Sequence, residues 1–279
     1  MKMKFLARSL LLLCLLSTWG LAQAGVQIQS DVIYGHKDGM ALIYDVFQPE
    51  EEANGAAVVY MISGGWFSRW TEPENRVEGY RYLLDEGYTV FAVHHGSAPR
   101  YYVPEAYADV SRALRHIRMN ADEYGIDVER LGVTGSSAGG HLSLMIGLNA
   151  DEGLPSAEDP VLRYSNAVAA VVAYFPPVDL RQMAGPNDRF PALDFPREQA
   201  AAISPLLLAD AGDPPVLLIH GDADELVDIS HSINMFEALQ EAGVESDFIT
   251  IPGAGHGFIG EDGRQAIEAR LDWFNQHLR

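Results

Sequence analysis

The sequence is almost without cysteine: one, Cys14, stands among 279 residues. Beyond that position a disulfide framework, a cysteine nucleophile and a thiolate metal site are all excluded. Cationic residues are scarce as well, 19 Lys and Arg against 39 Asp and Glu, for a formal net charge of -20. Such a surface repels nucleic acid and anionic membranes, so neither is expected as a partner. Long apolar runs are missing too, except at the start. There Leu10 to Leu16, interrupted only by Cys14, follows Lys2, Lys4 and Arg8 and precedes Ala22-Gln23-Ala24. This layout reads as a secretory signal peptide over residues 1–24, too short to span a membrane stably. Its removal before Gly25 would take the cysteine and three cations with it. The mature chain, residues 25–279, is then expected to be secreted or periplasmic and to rest on its hydrophobic core alone.

What is present is a rhythm of short apolar runs and helical segments. Residues 26–33 and 40–47 read as a strand pair around Lys37-Asp38-Gly39. Residues 56–62, 88–93, 131–134, 167–174, 216–220 and 246–251 read as further strands, most of them buried on both faces. Between them, residues 76–86, 104–124, 137–149, 229–242 and 263–278 carry helical spacing or helix stop signals. Alternation of this kind implies one α/β domain: a mostly parallel sheet with helices on both faces and an N-terminal antiparallel hairpin. Residues 175–208 break the rhythm with prolines at 176, 177, 186, 191, 196 and 205. A segment of that length either covers the carboxyl edge of the sheet, where ligands bind, or makes a surface excursion.

The chemistry centres on Gly135-Ser136-Ser137-Ala138-Gly139. The pattern G-x-S-x-G is met only with Ser137 as the serine. A strand ends directly before it and a helix starts directly after it, the setting of a nucleophile on a sharp turn. The hydroxyl then lies at a helix N-terminus, where free N–H groups favour a developing anion. Serine needs a base. Of nine histidines, His256 alone sits in a glycine-flanked loop between the last strand and the last helix. His220 closes a strand beside Gly221, a setting that suggests a structural role. The base in turn needs a carboxylate. Asp224, in the loop after the strand 216–220, is the first choice, Asp222 the fallback, and Asp179 a weaker candidate. The backbone N–H of Ala138 is one expected oxyanion donor. Others should come from Ile62-Ser63-Gly64-Gly65-Trp66-Phe67, with Gly64 and Gly65 as the donors. Neither a metal nor a cofactor is called for.

The order Ser137, Asp224, His256 is that of α/β-hydrolases. Gly135-Ser136-Ser137-Ala138-Gly139-Gly140-His141-Leu142, His220-Gly221-Asp222-Ala223-Asp224 and Gly255-His256-Gly257-Phe258 resemble the motifs of serine esterases in that superfamily. The similarity is to the hormone-sensitive-lipase-like group and to the group of acetyl and feruloyl esterases. It implies an α/β-hydrolase fold, Ser137, Asp224 and His256 as a triad, and small-molecule or polysaccharide-linked esters as substrates. Two departures stand out. These families usually show His-Gly-Gly-Gly-Trp where this chain has Ile62-Ser63-Gly64-Gly65-Trp66. They often carry Tyr-Arg where it has His94-His95. The resemblance makes Trp66, Phe67, His94 and His95 candidates for the pocket wall. A prolyl-oligopeptidase-like peptidase and a non-catalytic binding protein on the same scaffold are the alternative readings.

Overall fold

The computed structural model describes residues 25–279, so the signal-peptide reading of residues 1–24 lies outside the described residues. Eight strands form one sheet in the order β1-β2-β4-β3-β5-β6-β7-β8. They are β1 Val26–Lys37, β2 Met40–Pro49, β3 Ala57–Met61, β4 Thr89–Val93, β5 Leu131–Ser136, β6 Ala170–Tyr174, β7 Val216–Gly221 and β8 Ser246–Ile251. The pairs β1/β2 and β2/β4 are antiparallel, and every other neighbouring pair is parallel. The reason is visible in the residues: β4, β6 and β7 are buried along their whole length, and such strands need helices on both faces.

The helices are α1 Val77–Leu84, α2 Val103–Met119, α3 Ala121–Tyr124, α4 Ala138–Leu148, α5 Ser230–Ala242 and α6 Gly260–Leu278. One face of the sheet is covered by α2, α4 and α5, whose Val110, Leu114, Leu142, Met145, Met235 and Leu239 join a single core. The other face is covered by α1 and α6, through Tyr80, Leu83, Ala266, Trp273 and Phe274. The sequence spacing predicts one helix over 104–124, but the structure divides it at Asn120, whose φ of -107° and ψ of 18° leave the helical range. The Asn120 side-chain amide donates to the His116 carbonyl at 2.7 Å. That local bond competes with the helix ladder, as Asn side chains do.

Candidate active site

Strand β5 runs into α4 through Ser137, whose φ of 56° and ψ of -120° are forbidden to most L-residues. The turn persists because its flanks are small. A Cβ on Gly135 would stand 2.5 Å from the Gly139 backbone, and one on Gly139 would stand 2.8 Å from the Met61 carbonyl. The two glycines thus let strand and helix touch, and the close approach lifts the Ser137 hydroxyl above the sheet edge. The elbow is pinned by Ser137 N–H to the Tyr174 carbonyl, 2.9 Å, and Gly139 N–H to the Ser63 carbonyl, 3.2 Å. Ala138 opens α4, so its N–H has no intrahelical acceptor.

The structure brings Ser137, His256 and Asp224 together. Ser137 Oγ lies 2.9 Å from His256 Nε2, and His256 Nδ1 lies 2.7 Å from Asp224 Oδ2. With Nδ1–H donating to the carboxylate, Nε2 is free to accept the serine proton. Asp224 is fully buried at its side chain. Burial acts to raise its pKa, but the backbone N–H of Val227, the His256 ring and the backbone N–H of Leu226 outweigh it and hold it below its ordinary value. Asp222 does something else: its carboxylate accepts the Gly253 N–H at 2.6 Å and tethers the loop that carries His256. Asp179 pairs with Arg181, two residues along, at 2.7 Å.

Two residues at this end add contacts to the sequence-predicted set. His220, completely buried, donates Nε2–H to the Val227 carbonyl at 2.9 Å and places the same nitrogen 3.2 Å from Asp224 Oδ2. Its Nδ1 accepts the Ser232 hydroxyl at 2.7 Å. Burial lowers its pKa, which keeps the ring neutral. Phe175, with a φ of 36°, lays its ring 4.5 Å from that of His256. The signal for His220 was its place four residues before Asp224 at a strand end, and nothing local marked Phe175.

The loop after β3 is a miniature hairpin. Gly64 and Phe67 exchange both backbone hydrogen bonds, each 3.0 Å, around Gly65 and Trp66 with φ of 58° and 59°. Two central residues of positive φ make a type I′ turn. The expectation that Gly64 supplies an oxyanion donor is corrected here, because its N–H is already engaged by the Phe67 carbonyl. Gly65 N–H makes no such bond among the described residues.

Trp66, His94 and His95 are 3%, 6% and 5% exposed, and their bonds run to the loop and its supports. Trp66 Nε1 donates to His141 Nδ1 at 3.4 Å. His95 Nδ1–H donates to the Gly96 carbonyl at 2.9 Å, so Nε2 accepts the Ser63 hydroxyl at 2.8 Å. His94 Nδ1 meets Ser68 Oγ at 3.1 Å. These three residues therefore brace the loop from behind. Phe67 is half-buried at the end of the hairpin.

Residues 175–208 form a packed segment containing four short 3-10 turns. Val178, Leu180, Ala184, Ala192 and Leu193 are buried in the core. Phe190 reaches the loop: a Cβ on Gly65 would stand 3.0 Å from its ring. His141 completes the tie, since Trp66 occupies its Nδ1 and its Nε2–H donates to the Ile203 carbonyl at 2.9 Å. Burial pushes the pKa of His95 and of His141 down to about 4, which preserves these acceptor roles at neutral pH.

The protein-family model BD-FAE matches residues 44–239. The chain belongs to the BD-FAE family. The BD-FAE match begins within β2 and ends within α5, so Ser137 and Asp224 lie inside it and His256 beyond it. Among its relatives, Esterase LipC of Mycobacterium tuberculosis is 29% identical over 249 residues, 83% of this chain and 60% of its own length. Ethyl acetate hydrolase of Pseudomonas putida is 27% identical over 269 residues, 89% of this chain and 83% of its own. The chain spans 60%, 57% and 51% of the mycobacterial relatives LipC, LipQ and LipM. A solved structure described as a truncated carbohydrate esterase from gut microbiota is similar with a TM-score of 0.76 at 29% identity, covering 92% of this chain and 98% of that one. An acetyl ester-xyloside bifunctional hydrolase from Caldicellulosiruptor lactoaceticus shares the fold, TM-score 0.77 at 22% identity, over 88% of this chain and 96% of that one.

Proposed function

We propose that the protein is an exported serine hydrolase that cleaves carboxylic esters through an acyl-enzyme. The observation that carries this reading is the unbroken line from Ser137 Oγ through His256 to Asp224, 2.9 Å and 2.7 Å, on a strained elbow. His256 Nε2 takes the Ser137 proton as Oγ attacks the ester carbonyl, and Asp224 stabilises the imidazolium that forms. The negative charge developing on the carbonyl oxygen is received by the N–H of Ala138 at the start of α4 and by that of Gly65 in the hairpin after β3. His256 returns the proton to the departing alcohol. Water then repeats the sequence, with His256 as base, and releases the acid and free Ser137.

The printed names of the relatives support an ester substrate, and that of the carbohydrate esterase supports an acyl group on a sugar. The apolar leader with its Ala22-Gln23-Ala24 site supports export. Short-chain nitrophenyl esters, acetylated xylan and methyl ferulate, assayed side by side, test the reading. Turnover of at least one ester class, with kcat reduced roughly 10⁴-fold or more in Ser137→Ala, is expected. Turnover of proline-containing dipeptide amides without ester turnover would replace it, as would saturable ligand binding with no hydrolysis. N-terminal sequencing of the protein recovered outside the cytoplasm is expected to begin at Gly25.

A further inference from the structure

The proposed esterase chemistry makes no use of the buried cation of Arg270. Arg270, in α6, is 2% exposed. It forms no ion pair with a carboxylate among the described residues. Instead it sits in an aromatic cage: its guanidinium carbon lies 3.9 Å from the Tyr174 ring centre, 5.2 Å from that of Tyr60 and 5.8 Å from that of Tyr82. Nη1 donates to the Tyr60 and Tyr82 hydroxyls at 2.9 Å and 2.8 Å. Nε is buried without a partner. Tyr174 and Tyr82 do not neutralise the cation, because burial pushes Tyr174 up to about 12 and raises Tyr82 as well. A buried charge without a counter-ion is costly, and proteins resolve it by pairing.

The missing partner has a place to stand. A cavity of about 210 Å³ lies against Arg270, between α1, α6 and the carboxyl ends of β3, β5 and β6. Its wall includes Tyr60, Tyr82, Ser136, Phe258 and Gly79. Nη1 is taken by the two tyrosines and Nε is walled off, so Nη2, which makes no bond among the described residues, is the nitrogen left to donate to an anion in the cavity. Ser136 is the residue directly before Ser137, so an anion there would lie one residue from the reacting serine, behind Phe175 and Phe258.

We propose that this cavity binds a small carboxylate, held by the Arg270 guanidinium and neighboured by the Tyr60, Tyr82 and Ser136 hydroxyls. The carboxylate has two possible sources. It is either a free short acid, the class of product that ester hydrolysis releases, or a carboxylate carried by the substrate.

Binding is read without turnover, by calorimetric titration of the full-length Ser137→Ala protein with acetate, propionate and butyrate at constant ionic strength. Saturable binding is expected, weakened about tenfold or more by adding Arg270→Met. Gly79→Leu gives the second test. A Cβ at Gly79 meets nothing within 4 Å, and leucine suits a helix better than glycine, so this variant fills the cavity mouth with the charge retained. It too should lose binding, with an undiminished Tm. No saturable binding in Ser137→Ala, or equal binding in the Arg270→Met and Gly79→Leu backgrounds, overturns the proposal. Esters ending in a carboxylate, compared with neutral ones on the Ser137 protein, separate the sources. A preference for the charged ester that disappears in Gly79→Leu assigns the anion to the substrate. A change in neutral-ester rate on adding free acid, absent in Gly79→Leu, assigns it to the free acid. Because the titration uses a protein that lacks the nucleophile, its failure is independent of whether the protein is an esterase.

Discussion

The two sides of Ser137 are built differently. On the β7 and β8 side, His256, Asp224 and His220 form a continuous chain of short polar contacts, and one carboxylate, Asp224, organises it. On the β3 and β4 side the carboxylates stand further back, with Asp109 accepting the Gly96 N–H at 2.9 Å, and none bonds the loop itself through His95 or His141. The loop 62–68 is held by neutral imidazoles, His95 on Ser63 and His141 on Trp66. In the proposed reaction one side holds the groups that move protons, and the other fixes backbone N–H groups that stay still. A charged orienter suits the first because the proposed mechanism forms an imidazolium there. Neutral, rigid braces suit the second, where preorganisation is the contribution.

The comparison is broken most severely at the charged end. Asp224→Asn should lower kcat about 10⁴-fold with the fold retained, measured on whichever ester the panel identifies. A loss under tenfold would remove Asp224 from its orienting role. On the neutral side, Ser63→Ala and His95→Phe should each lower kcat about tenfold, less than the 10²–10³ of deleting a donor outright. The double variant should be no slower than the worse single one, because the two act through one bond. Multiplying losses would show that they are independent. Asp222→Asn gives the smallest effect: kcat near wild type, with a stability loss of about 1 kcal/mol for the weakened Gly253 tether, read from urea midpoints.

Acid separates the two sides on a stability axis. His95 and His141 titrate at about 4 in the folded protein and near 6.5 when unfolded. Between those values the unfolded chain binds more protons, so stability falls as pH drops from about 6.5 to about 4. His220 adds to this loss in the same direction. Asp224 has a lowered pKa, so its contribution persists until pH falls below the ordinary carboxylate value. The Tm should therefore decline well before Asp224 is protonated, and less steeply in His95→Phe. A Tm that stays level from pH 7 to 4.5 would contradict the neutral-brace reading.

The difference also governed what the sequence disclosed. The elbow, the histidine loop and the strand rhythm were legible because each leaves a local mark: glycines two residues either side of a serine, glycines flanking a histidine, apolar runs of short length between turn residues. The braces leave none. Ser63 and His95 are 32 positions apart and meet only because β3 and β4 are neighbours. Their two departures from the esterase pattern, which look unrelated along the chain, are one hydrogen bond in space. Gly64 misled for a related reason, since a glycine marks a turn but not which of its N–H groups the turn consumes. The break in the helix at Asn120 depends on a side chain finding its own backbone. The Arg270 cage gathers β3, α1, β6 and α6, a conjunction that only the assembled sheet reveals.

Labelling with a fluorescent alkyl phosphonate, followed by peptide mapping of the adduct, tests the central claim most directly. A single adduct on Ser137, lost in Ser137→Ala and formed far more slowly in His256→Ala, is the predicted result. No adduct, or an adduct on Ser136, would contradict it.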